Sequence, residues 1–254
     1  MIPSWFMTRS KPVLILQLRP EEVTSNSEYA CILKYGGLRA EETRRLRIEQ
    51  QGIPADLALD DYSAIIVGGS PFDISTPEAR KSDIQKKIEA DFNRLLVQVV
   101  TRDHPFLGAC SGNGLLGRYL GARISTKFRE AIGCVALDIT AAGKRDKLLN
   151  GFPDQIDVLL GHKEAVDTLP KGATLLMTGR ACPVQMFRVG ENVYATQFHP
   201  EADPEEFKLR IDTYRDHGYF EPDEAEALKQ RVSRKHTPYA QEILRRFVES
   251  YYFT

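Results

Sequence analysis

Four cysteines in 254 residues, Cys31, Cys110, Cys134 and Cys182, form no C-x-x-C pair. That spacing argues against a zinc site or a disulfide framework and fits a reduced, cytoplasmic setting. Charge of one sign is equally scarce: 34 Lys and Arg against 35 Asp and Glu leave a net charge of -1. There is no electrostatic ground for nucleic acid or an anionic membrane surface as a partner. No apolar run approaches the roughly 20 residues that span a bilayer, and the opening MIPSWFMTRSKP lacks the hydrophobic region of a signal peptide. Repeats, low-complexity stretches and linkers are missing as well. The expectation is therefore one domain over residues 1–254, with a composition 42% hydrophobic and sufficient for a full core. Gly68-Gly69-Ser70-Pro71 could bind phosphate through its N–H groups, but it carries no P-loop lysine, and no G-x-G-x-x-G follows a strand pattern. No cofactor or metal is expected.

What is present alternates between buried strands and helices. Pro12–Leu18 (PVLILQL) and Tyr62–Val67 (YSAIIV) are continuous apolar runs, as in strands buried on both faces. Between them Arg19–Ser27 reads as a loop, Glu28–Tyr35 as a short helix and Arg44–Glu49 as an edge strand. Thr76 offers an N-cap with Pro77 at the first helical position, and Ile84, Ile88, Phe92, Leu95, Leu96, Val99 and Val100 recur behind it at helical spacing. Strand patterns follow at 131–140, 156–160, 173–178, 184–189 and 193–198, with Gly190-Glu191-Asn192 as a hairpin turn. From Asp203-Pro204 onward the chain is helical and heavily charged, which reads as a solvated face. The predicted fold is α/β: an open, mostly parallel sheet with helices on both faces, a core of about 12–202 and a helical C-terminal extension of about 203–254. Helices there could close the sheet edge or dock a partner. Sites in such sheets lie at the carboxyl ends of the strands, here after Val67, Leu107 and Phe198.

The second of these loops lies in FLGACSGNGLLGRYL, residues 106–120. Small residues around Cys110 suit a sharp strand-to-helix turn, which presents the sulfur at a helix N-terminus. Helix dipole and free N–H groups are expected to favour the thiolate there. The third loop holds Gln197-Phe198-His199-Pro200-Glu201. His199 can give one ring proton to Glu201 and act through its other nitrogen as base toward a thiol. His162 and Glu164 form a rival pair at similar spacing, whereas His104, His217 and His236 read as surface residues. The first loop supplies half of an oxyanion hole: an N–H of Gly69 or Ser70 would join that of Ser111.

Strand-Gly-Gly, then strand-Gly-x-Cys-x-Gly-helix, then strand-Gln-Phe-His-Pro-Glu, in this order, resembles the class I glutamine amidotransferases from Val13 to about Ala202. Within that family the chain is similar to stand-alone members related to the amidotransferase domain of GMP synthase. The resemblance implies a flavodoxin-like open sheet, Cys110 as nucleophile, His199 as base and Glu201 as supporting carboxylate. Gly161-His162 matches a segment that lines the substrate site, with a serine replaced. In the family pattern G-x-C-x-G-x-Q the last residue holds the substrate glutamine, and here that position is Gly114. Each lost hydrogen bond costs roughly 0.5–1.5 kcal/mol, so glutamine is held less fully. The implied activity is hydrolysis of the glutamine side-chain amide through a γ-glutamyl thioester. A γ-glutamyl peptidase acting on glutathione-like compounds, a glutaminase subunit with a separate synthetase partner, and a binding protein on an inert fold are the alternatives.

Overall fold

Strand β1 (Val13–Gln17) has every residue buried, because its two faces are both covered. Val13 and Ile15 pack on one side with Ile32, Ile243, Phe247 and Val248, whereas Leu14 and Leu16 pack on the other with Phe92, Leu95, Leu96 and Leu116. This is why the run is apolar without alternation. Burying each such side chain is worth roughly 1.5–3 kcal/mol. The computed structural model describes residues 11–253; the reading of the opening stretch as no signal peptide falls mainly on residues 1–10, outside the described residues.

In chain order β1 is followed by α1 (Glu22–Gly36), β2 (Thr43–Arg47), α2 (Ile48–Gln51), β3 (Ala64–Val67), α3 (Asp83–Thr101), β4 (Phe106–Ala109) and α4 (Ser111–Tyr119). Then come β5 (Ile124–Ser125), β6 (Glu130–Ile139), β7 (Gln155–His162), β8 (Ala165–Val166), β9 (Thr174–Thr178), β10 (Met186–Val189) and β11 (Val193–Thr196). Helices α5 (Pro204–Thr213), α6 (Ala225–Ser233) and α7 (Pro238–Tyr251) complete the chain. The main sheet runs β2-β1-β3-β4-β11-β10-β9-β6-β7. Its first five strands are mutually parallel and the remaining pairings are antiparallel. The parallel half with helices on both faces is the open sheet anticipated above, and the antiparallel half is built mainly from the successive strand patterns that begin at residue 131.

Three local expectations need correction. Helix α1 starts at Glu22, well before Glu28, because its polar residues Thr24, Ser25 and Glu28 are buried rather than solvated: Ser25 O accepts from Gln17, Glu28 accepts from Gln17 and Arg19, and Thr24 Oγ1 meets the Tyr214 hydroxyl. Helix α3 is capped by Ser82, whose Oγ accepts from Gln85 N–H at 3.1 Å, and not by Thr76. Pro77 is extended and is followed by a single 3-10 turn. The charged segment after Asp203 is not simply a solvated face. Helix α7 buries Ile243, Leu244, Phe247 and Val248 in the cluster it shares with β1, and Glu206 and Arg210 of α5 are buried. Among the described residues no helix is long and apolar enough to cross a membrane.

Candidate active site

Strands β4 and β11 lie side by side and parallel, with Ala109 opposite Thr196. Cys110 N–H donates to Thr196 O at 2.7 Å, which ties the first residue after one strand to the last residue of the other. Cys110 and the Gln197–Glu201 loop thereby share the carboxyl edge of the sheet. At Cys110 the backbone turns with φ 52° and ψ −95°, conformational space that non-glycine residues rarely occupy, at a cost on the order of 1–3 kcal/mol. The turn closes because Gly108 has no side chain: a Cβ there would lie 2.8 Å from the Gly112 carbonyl carbon. The cysteine is half-buried and helix α4 begins at the next residue.

His199 is buried behind it, and its Nδ1 donates to Glu201 Oε1 at 2.7 Å, leaving Nε2 as the basic nitrogen. Cys110 and His199 line one cavity. Gly69 permits that approach, since a Cβ on it would meet Arg19 Nη2 at 2.6 Å and His199 Cε1 at 2.8 Å. Burial lowers the His199 imidazole to about 4, with Arg210 acting in the same direction and Glu201 against it. Burial pushes the Cys110 thiol up to about 11, partly offset by Arg19 and Arg210. This corrects the expected thiolate: the resting pair is a neutral thiol and a neutral imidazole, because desolvation outweighs the nearby positive charge. Burial works to raise the Glu201 carboxyl, but His199 and Arg210 outweigh it and hold it well below the usual carboxylate range.

A buried ionic network surrounds the pair. Glu201 Oε1 also accepts from Arg210 Nη2 at 2.9 Å; Arg210 Nε bonds Glu206, and its Nη2 lies 3.5 Å from Glu28. Glu28 is fully buried and accepts from Gln17 Nε2 at 2.9 Å, Arg19 Nε at 2.8 Å and Gly69 N–H at 3.1 Å. The last contact removes Gly69 from the expected oxyanion pair, because its N–H is already committed to a carboxylate. Ser70 remains on that loop, next to the α4 N-terminus: Ser111 Oγ donates to Ser70 O at 3.4 Å. Tyr219 closes the site from above, its hydroxyl 3.5 Å from Ser70 O.

Gly114 lines the cavity beside Cys110, and the space a side chain there would need is filled by Ile74, whose Cδ1 would lie 2.6 Å from an added Cβ. His162 lines the same cavity, yet its ring is not free: Nε2 meets Glu130 Oε2 and Nδ1 meets Glu164 O, both at 3.0 Å. The Glu164 carboxylate instead accepts the N–H groups of Ile74 and Ser75, so the rival His162–Glu164 side-chain pair does not form. Ligating atoms of Glu130, His162 and Cys182 lie within 4.8 Å of one another; Glu130 Oε2 bonds His162 and accepts from Gln185 Nε2 at 2.5 Å, whereas the Cys182 thiol donates to Val184 O at 3.7 Å. Of the histidines read as surface residues, His104 is half-buried and lowered to about 4 by burial.

Sequence reasoning missed Arg19, Glu28, Glu206, Arg210 and Tyr219. Two signals were available. Arg19 follows β1 at the same carboxyl edge as the three recognised loops, and Glu206 and Arg210 stand at i,i+4 beside the apolar Phe207 and Ile211.

A family model described as glutamine amidotransferase class-I matches residues 33–214. The chain is 26% identical over 186 residues to a glutamine-hydrolyzing GMP synthase of Syntrophomonas wolfei, covering 69% of this chain and 33% of that one. It is 28% identical over 178 residues to gamma-glutamyl peptidase 3 of Arabidopsis thaliana, covering 66% of each. One subunit of a glutamine-hydrolyzing GMP synthase from Methanobrevibacter smithii is 32% identical over 162 residues, covering 61% of this chain and 75% of that polypeptide. The chain thus spans a third of the Syntrophomonas synthase but three quarters of the Methanobrevibacter polypeptide. In fold it is similar to a crystal structure of a glutamine amidotransferase from Thermotoga maritima, with a TM-score of 0.73 at 24% identity over 94% of this chain and 97% of that one.

Proposed function

The chain belongs to the class I glutamine amidotransferase family, and from that premise we propose that it hydrolyses a γ-glutamyl amide through a covalent Cys110 thioester. The observation that carries the reading is the strained Cys110 turn facing the His199–Glu201 pair across one cavity. Sγ attacks the amide carbon while His199 Nε2 takes the thiol proton, so thiolate and imidazolium form only as the C–S bond forms. Glu201 supports the imidazolium through Nδ1–H. The N–H groups of Ser70 and Ser111 stabilise the oxyanion. Collapse breaks the C–N bond, and His199 returns the proton to the departing ammonia or amine. Water then attacks the thioester, with His199 again as base, to release glutamate and the thiol.

Glutamine is the first substrate to test, and a γ-glutamyl peptide is the second. The second reading is favoured by Gly114 and Ile74, which put an apolar methyl where the family pattern has a glutamine side chain. Use of the ammonia by a separate synthetase belongs to the same proposal, as does a single catalytic domain acting on a small molecule. The test compares glutamate release from glutamine and from γ-glutamyl peptides, together with mapping of the cysteine labelled by a glutamine-mimicking electrophile. Cys110→Ala should abolish both. Undiminished release, or label on Cys31, Cys134 or Cys182, overturns the assignment.

A further inference from the structure

The cavity at Cys110 has two lobes, each about 20 Å³, that share Cys110, Ser70 and Tyr219. His199, Arg19 and Arg210 line one of them. Ser111, Gly114, Ile124, Asp73 and Lys163 line the other. Under the reading above, His199 must deliver its proton to the leaving nitrogen, so the leaving group occupies the His199 lobe. The acyl chain therefore runs the opposite way, past Gly114. That lobe passes through Asp73, Ile124 and Lys163 into an open groove of about 560 Å³. The far end of the acyl group has to lie among those three residues.

We propose that Asp73 and Lys163 read the α-amino-acid head of the substrate, Asp73 binding its ammonium and Lys163 its carboxylate. This assignment rests on the γ-glutamyl reading. The two side chains lie 2.8 Å apart and are 34% and 24% exposed, so a ligand entering from the groove reaches both. Their loops are clamped together, since the Glu164 carboxylate accepts the N–H groups of Ile74 and Ser75 at 2.6 and 2.7 Å. Lys163 Nζ also lies 4.9 Å from the centroid of the Tyr219 ring, which holds it over the lobe. A zwitterionic head exchanges one internal ion pair for two external ones and leaves neither charge unpaired. An acyl chain that lacks the ammonium or the carboxylate leaves one partner unmatched. Gly114 offers the substrate no side-chain hydrogen bond, which shifts recognition toward this charged end.

Kinetics on three compounds test it: a γ-glutamyl substrate, its N-acetyl derivative and its α-carboxamide. Lys163→Met should raise KM for the parent on the order of 10- to 100-fold with little change in kcat, and should erase the preference over the α-carboxamide. Asp73→Asn should erase the preference over the N-acetyl derivative, and Lys163→Arg should restore most of the carboxylate preference. Equal losses on all three compounds indicate a merely structural pair and overturn the assignment, as do unchanged preferences in active variants. A wild-type protein that hydrolyses no γ-glutamyl compound overturns the underlying reading together with this one.

Discussion

Replacing Arg210 by methionine tests whether a helix outside the three motif loops holds the site together. Its guanidinium touches Glu201 at 2.9 Å and Glu28 at 3.5 Å and bonds Glu206, and all four side chains are buried. Without it, three carboxylates face Arg19 alone. Removing one member of a buried ion pair costs about 3–5 kcal/mol. At roughly 2–4 °C per kcal/mol for a chain of this size, the melting temperature should fall by ~6–20 °C. The loss depends on pH with a definite sign. Burial already pushes the Glu206 carboxyl up to about 7, against Arg210 and Arg19, and loss of Arg210 pushes it further. A carboxyl whose folded pKa is raised binds its proton more tightly in the folded chain, so its contribution to stability grows as pH falls through that value. The deficit of Arg210→Met should therefore be smaller at pH 6 than at pH 8. Arg210 also helps depress His199, so the acid limb of kcat/KM should move to higher pH in the variant. Thermal unfolding at the two pH values and a pH–rate profile measure both effects. A melting temperature within about 2 °C of wild type, less than 1 kcal/mol predicts, or an unmoved acid limb, refutes the network.

Gly108→Ala should cost at least about 1–3 kcal/mol and abolish labelling of Cys110, because its Cβ would lie 2.8 Å from the backbone of Gly112; wild-type melting and labelling would contradict this. Gly114→Gln alone should destabilise the chain through Ile74, and adding Ile74→Ala should recover part of the loss, with a coupling of about 0.5–3 kcal/mol in a double-mutant cycle. Strictly additive effects would show that Ile74 does not fill that space. Cys110 should titrate as a thiol with a midpoint of about 11 and alkylate slowly with a simple haloacetamide near neutral pH, while reacting readily with a γ-glutamyl electrophile. Fast alkylation by the simple reagent would refute the neutral resting state.

The candidate edge was legible because strand-ending motifs are local. FLGACSG and QFHPE can each be read in a few residues, and parallel pairing of β4 with β11 brings them together. Glu28 was not legible for a physical reason. Its helix turns a polar face inward, so the rule that apolar residues mark the buried face placed residues 19–27 in a loop. The start of α3 was misread for a related reason: Thr76-Pro77 has the chemistry of a helix start, but Ser82 caps the turn that packs. The oxyanion pair could not be narrowed from sequence, since nothing local to Gly69 reveals that a carboxylate 41 residues away uses its N–H.

The acid–base properties of Cys110 and His199 constrain how such a pair can react. With the thiol near 11 and the imidazole near 4, moving the proton before attack is uphill by at most about 10 kcal/mol, a ceiling that attraction between the resulting thiolate and imidazolium lowers. Much of a typical barrier would be used before any bond had formed. In the proposed reaction such a site gains from coupling proton transfer to C–S bond formation, where the developing charge would appear as an oxyanion in front of Ser70 and Ser111 rather than as a free thiolate. In that reaction Glu201 would stabilise an imidazolium that exists only while the intermediate does. Arg210 fixes Glu201 in place but opposes that imidazolium, which favours rapid return of the proton to the leaving nitrogen. Under the proposed mechanism Arg210 therefore helps keep the resting imidazole neutral and hastens the second half of the step, and both effects depend on a helix that lies beyond the last motif loop.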